Sequence, residues 1–116
     1  MSLQTSYLSE SDLLDLEIPF VVNSELDGDG LTVVISGELD IATAPLLKET
    51  HRSVEGTYRT LRYDLGGLGF MDSAGMRTLL APASSEIPLS QISIIHPTRM
   101  VRRLLELRGL QGMIDE

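Results

Sequence analysis

Apolar positions along this chain change period several times, and each change marks an element. Ile18 to Asn23 is apolar and β-branched, Asp27-Gly28-Asp29-Gly30 supplies a turn, and Leu31 to Ile35 is apolar again, which predicts a β-hairpin. From Ala42 to Val54 the period lengthens: Ala44, Leu47, His51 and Val54 are spaced by three and four, the face of a first long helix. Leu61, Tyr63 and Leu65 alternate with Arg62 and Asp64 as in a strand, which Gly66-Gly67 is expected to end. Met76, Leu79, Leu80 and Ala83 predict a second helix starting near Ser73, shortened or kinked by Pro82. Gln91 to Ile95 reads as a strand. Met100, Val101, Leu104 and Leu105 form the stripe of a third helix, with Pro97 as its first residue and Gly109 as its stop. Met113-Ile114 closes the series as a short final strand.

The order β-β-α-β-α-β-α, with a final β at the C-terminus, predicts an α/β layer in which helices pack on a central sheet. Residues 1–17 are acidic and Ser-rich, with Leu8, Leu13, Leu14 and Leu16 spaced to support a short helix, and read as an extension ahead of one domain at 18–116. A chain of 116 residues has room for one core. With 42% hydrophobic residues but only 4% aromatics, that core is expected to be aliphatic.

Charge and composition then narrow the function. A formal net charge of −8 repels nucleic-acid phosphates and anionic lipid, so no direct nucleic-acid partner and no membrane partner is expected. Cysteine is absent, which removes disulfides, thiolate metal sites and a cysteine nucleophile. No stretch approaches the ~20 apolar residues that span a bilayer, and the expectation is a cytoplasmic protein. His51 and His96 without clustered carboxylates make a poor metal site, so neither metal nor cofactor is expected.

Chemistry concentrates between Asp64 and Met76, where three glycines and Phe70-Met71 lead into Asp72-Ser73 at a helix start. Ser73 can be the helix N-cap, its oxygen accepting a first-turn N–H. It can also be a kinase substrate, because a phosphate there would meet unpaired N–H groups and add charge beside Asp72. The two roles are compatible. A nucleophilic serine is disfavoured: the hydrolase elbow needs glycines two before and two after the serine, and Met71 stands in the first place. His51 lies on the apolar face of the first helix and His96 directly before Pro97, so neither is an evident base for Ser73. Asp40, ahead of Thr43-Ala44-Pro45, occupies a second strand-to-helix loop. Either Asp40 or Thr43 caps that helix, or Asp40 lies beside the Ser73 loop and helps form a partner surface. Arg99, Arg102, Arg103 and Arg108 read as the solvated face of the third helix. Gly66-Gly67-Leu68-Gly69 lacks the Lys-Ser/Thr ending of a nucleotide-binding loop.

Asp64-Leu65 followed by Phe70-Met71-Asp72-Ser73-Ala74-Gly75 resembles the signature of the STAS domain family of anti-sigma factor antagonists. Gly37-Glu38-Leu39-Asp40 with Thr43-Ala44 resembles the family's turn after the second strand, and Pro97 through Leu110 its last helix. The resemblance implies the STAS fold, a small mixed sheet of four to five strands packed with helices. It also implies partner switching: the unmodified antagonist binds an anti-sigma factor that is a serine kinase, sigma factor is released, and phosphorylation at the position of Ser73 ends the complex until a serine phosphatase reverses it. On that reading the chain is substrate and ligand rather than enzyme, with Asp40, Thr43, Asp72, Ser73, Ala74, Gly75 and Met76 forming the partner surface. Ala74 stands where a second serine is frequent, which leaves Ser73 as the hydroxyl of the loop. A different expectation for the same fold is an accessory subunit that binds a small ligand or a transporter, with Ser73 a structural cap.

Overall fold

A computed structural model of the chain describes residues 19–115. The acidic extension and the short helix expected in it lie outside those residues. Strand β1 (Val21–Asp27) and strand β2 (Gly30–Leu39) form the expected hairpin, in register from Val21 opposite Ser36 to Asp27 opposite Gly30. The connection is Gly28-Asp29, and Gly28 takes φ +66°, a conformation that costs glycine nothing. The Asp29 carbonyl accepts from the N–H groups of Arg59 and Thr60 at 2.7 and 3.3 Å, pinning the hairpin tip to the start of the next strand.

Helix α1 (Ala44–Val54) follows β2, burying Ala44 and Leu47 and half-burying His51 and Val54, the face read from spacing. Strand β3 (Thr60–Met71) then runs parallel to β2. It does not stop at Gly66-Gly67. The pairing steps from Val34–Asp64 to Ser36–Gly67 and from Gly37–Leu68 to Glu38–Phe70, so β3 carries one extra residue at each of two irregularities. Inward positions therefore change from every second residue (Leu61, Tyr63, Leu65) to every third (Leu68, Met71). A Cβ at Gly67 would sit 2.7 Å from that of Ser36, so close approach explains that glycine.

The second helix is two pieces, α2 (Ser73–Leu79) and α3 (Ala81–Ser85). Pro82 brings no N–H to the ladder, and the chain turns at Leu80. The Leu79 carbonyl at the break accepts instead from the buried Tyr63 hydroxyl at 2.7 Å. Strand β4 (Ile92–Ile95) pairs parallel to β3, and helix α4 (Arg99–Leu107) crosses back over the sheet. Thr98, not Pro97, opens α4: its Oγ1 accepts from the Val101 N–H and donates to the Leu68 carbonyl at 3.0 Å. Gly109, at φ +70°, ends the helix as expected, with the Leu110 N–H on the Leu105 carbonyl at 2.8 Å. The final strand is reduced to one parallel bridge, Ile114 to Ile94, after a 3₁₀ turn at Gln111–Met113.

The strand order is β1-β2-β3-β4, antiparallel at the first pair and parallel at the other two. The core gathers on one face of this sheet: Val33, Ile35 and Leu39 from β2, Tyr63, Leu65 and Leu68 from β3 and Ile94 from β4 meet Leu47, Leu79, Val101 and Leu105 from the helices. It is aliphatic apart from Tyr58 and Tyr63. Parallel β2 and β3 both end at the same rim of the sheet, which sets the loops after them side by side.

Candidate functional site

At that rim Leu39 pairs with Met71, and the Asp72 N–H donates to the Leu39 carbonyl at 3.2 Å. The loop after β2, with Asp40 and Thr43, therefore abuts the turn that starts α2. Gly75 packs against Leu39, where any Cβ would overlap the Leu39 carbonyl. No other residue allows the helix to come that near.

Each loop is held by its own aspartate. Asp40 Oδ1 accepts from the N–H groups of Ala42 and Thr43 at 3.0 and 3.1 Å. Thr43 Oγ1 in turn donates to the Glu38 carbonyl at 2.7 Å and accepts the Asp40 N–H at 2.9 Å. Thr43 occupies the N-cap position of α1 without a side-chain capping bond, and Asp40 satisfies the N–H groups ahead of it. The expected side-chain cap on α1 is therefore not made: the Asp40 carboxylate closes the turn ahead of the helix, in the loop that abuts the start of α2.

The α2 cap differs from expectation. Asp72, in extended conformation, accepts the Gly75 N–H on Oδ1 at 2.8 Å and is the N-cap, so Ser73 is the first helical residue. Aspartate and serine cap about equally well, and local sequence could not choose between adjacent candidates. The choice leaves the Ser73 hydroxyl exposed and out of the backbone ladder. It accepts instead from the guanidinium of Arg108, Nη2 at 3.2 Å. That partner lies 35 residues away, and the spacing of arginines on α4 carried no signal for it. Ala74 is half-buried, while Gly75 and Met76, both expected on the partner surface, are buried beneath it. Ile41 in the loop after β2, Phe70 near the end of β3 and Leu107 next to Arg108 are exposed apolar side chains, at 76%, 43% and 72%.

Neither imidazole is bonded to Ser73. His51 Nε2 lies 2.9 Å from Tyr63 Oη, whose proton goes to the Leu79 carbonyl, so the ring donates through Nε2–H as the neutral tautomer. Burial lowers its pKa from 6.5 to about 4, against the opposing pull of Glu86. Burial also raises the Tyr63 phenol well above its usual value. His96, at φ +56°, places Nδ1 3.2 Å from Asp64 Oδ1, and the same oxygen accepts the Gly66 N–H at the first β3 irregularity. The histidines support the fold, one under α1 and one at the β3–β4 rim. Arg108, the partner Ser73 does have, is a donor and cannot serve as a base.

The family model described as Mlab, STAS domain, matches residues 22–115. The chain belongs to the STAS domain family. Its mixed four-strand sheet with helices is the STAS fold. A relative of this STAS domain, the anti-sigma-B factor antagonist of Listeria monocytogenes, is 30% identical over 95 residues, spanning 78% of this chain and 82% of the relative. An anti-sigma factor antagonist from Mycobacterium paratuberculosis superposes with a TM-score of 0.71 at 25% identity, over 82% of each chain. The Bacillus cell fate determinant SpoIIAA in its phosphorylated form superposes at 0.63 with 18% identity, over 82% of this chain and 89% of that one, a likeness of fold. Among the described residues of this STAS domain, no helix is long and apolar enough to cross a membrane.

Proposed function

We propose that this STAS domain is an anti-sigma factor antagonist that docks on an anti-sigma factor serine kinase through the rim formed by Asp40, Thr43, Asp72 and Ser73, and is released when Ser73 is phosphorylated. The observation that carries the reading is the position of the Ser73 hydroxyl: exposed, displayed at the start of α2, free of any capping duty and hydrogen-bonded to a guanidinium rather than to a base. A hydroxyl so placed is suited to attack by way of a partner's chemistry rather than its own. In the transfer, Ser73 Oγ bonds to the γ-phosphorus of ATP, the bond to the β-phosphate oxygen breaks, ADP leaves, and the hydroxyl proton goes to a base of the kinase.

Recognition and release follow from one surface. Exposed Ile41 and Phe70 offer apolar contact at this rim. A phosphate adds −1.5 to −2 charges (~pH 7) at the centre of that contact, beside the Asp72 carboxylate. Docking then fails through repulsion and desolvation, and a serine phosphatase restores the binding form. Such a switch operates in the cytoplasm, on transcription, without cofactor.

The test is incubation with ATP and the anti-sigma kinase of the same organism, read by intact mass and by affinity. One phosphate on the wild type, none on Ser73→Ala, and retained binding by Ser73→Ala are expected. An unmodified wild type would refute the reading and favour an accessory subunit whose serine is structural.

A further inference from the structure

Arg108 touches the one hydroxyl on which the proposed switch turns, and it does so from the opposite end of the domain's sequence. We propose that Arg108 is the receptor for a phosphate on Ser73, pairing with the dianion so that the modified side chain is held against the end of α4. The inference rests on the reading of Ser73 as a phosphate acceptor and adds to it the residue that reads the modification within the chain.

Three features of the fold support it. The backbone under Arg108 is fixed: its N–H donates to the Leu104 and Leu105 carbonyls at 3.2 and 3.1 Å, Gly109 and Leu110 close the helix end onto Glu106 and Leu105, and Thr98 ties the other end of α4 to Leu68 of β3. The guanidinium is thus delivered to Ser73 by a rigid element, and only its own exposed side chain has to adjust to admit a phosphate. Second, guanidinium matches phosphate oxygens with a fork of parallel N–H donors and strengthens when its partner changes from a neutral hydroxyl to a dianion. Third, the carboxylates of the rim cannot take this part. Asp72 is anionic and committed to the Gly75 N–H, and Asp40 and Glu38, across the rim, are anionic too. Arg77, one turn along α2 and exposed, is the competing cation.

The pairing changes what a partner meets. In the unmodified domain the rim carries an accessible positive charge; in the modified one that charge is cancelled and the phosphate bridges α2 to α4. Phosphorylation then removes a cation from the docking face as well as adding an anion to it.

The experiment uses the full chain with phosphoserine inserted at position 73 during translation, so that no kinase is involved. The second ionisation of the phosphate is followed by phosphorus NMR in the wild-type background and in Arg108→Gln and Arg77→Gln. For free phosphoserine it lies near 6. Loss of Arg108 should raise it by about 0.5 pH unit, about threefold in the ionisation constant, and the difference should shrink in 1 M salt, where charges are screened within ~3 Å. Arg77→Gln should move it less. Identical titrations for the wild-type background and Arg108→Gln, or a larger effect of Arg77→Gln, would overturn the assignment. Because the phosphate is installed genetically, that failure would leave the kinase experiment untouched, and an unphosphorylated wild type in the kinase experiment would leave this titration untouched.

Discussion

Replacing Asp72 separates two things its carboxylate does at the rim: it accepts the Gly75 N–H at 2.8 Å, and it carries a charge next to Ser73. Helix α2 is only seven residues long, well below the length at which a helix holds itself together, so it depends on its cap and on packing through Met76 and Leu79. Asp72→Ala removes the acceptor and leaves a half-buried N–H without its partner, which costs about 1–2 kcal/mol. Asp72→Asn keeps an oxygen in the same place and caps as well as aspartate, so it forfeits only the attraction of the charge to the helix end, about 0.5 kcal/mol. For a chain of this size 1 kcal/mol moves the thermal midpoint by roughly 4 °C. The alanine variant should then melt roughly 4–8 °C lower and the asparagine variant about 2 °C lower. Urea titrations of both give the free energies directly, with the slope checked for constancy. In the kinase assay Asp72→Asn should retain phosphorylation at Ser73, while Asp72→Ala, with a frayed first turn, should lose part of it. Equal destabilisation by the two substitutions would mean that the charge and not the bond holds α2, and the geometry argued for the Ser73 display would be wrong.

Gly75→Ala should destabilise the domain by about 1–3 kcal/mol in urea although alanine is the better helix former by ~1 kcal/mol, because the added carbon collides with the Leu39 backbone rather than with a side chain that can move; an unchanged or raised midpoint would contradict the packing. The acid side of the stability profile should carry the signature of His51. The unfolded chain binds that proton at 6.5 and the folded domain only at about 4, so the contribution of His51 is full above pH 6.5, falls as pH drops through the interval, and is gone below about 4. The whole shift would be about 3 kcal/mol at 1.36 per unit, and the half-exposed ring reduces it to about 1–2. His51→Gln should flatten the stability slope in that window, and a slope identical to the wild type would refute the account.

Two expectations were decided by spacing alone and hold in three dimensions: the α1 face of Ala44, Leu47, His51 and Val54, and the β1–β2 hairpin around Gly28. Such signals are local, because periodicity over a few turns and the φ preference of glycine act within the segment that carries them. The Asp72-Ser73 turn was legible for the same reason, as a polar pair between a strand and a helix. Which of the two caps was not, since both can and only the exact entry of β3 decides.

What the tertiary structure alone decided are relations between distant segments. Gly66-Gly67 reads as the end of a strand, yet β2 lies alongside and supplies pairing partners as far as Met71, so the extra residues are absorbed as irregularities instead of breaking the ladder. Pro97 read as a helix start, yet Thr98 takes that place because its hydroxyl can also reach Leu68 on β3. Arg108 read as one more solvated arginine until the packing of α4 carried it 35 residues back to Ser73. Amino-acid order sets which elements form; which side chains meet at the rim depends on how those elements pack, and nothing in a local window encodes that distance.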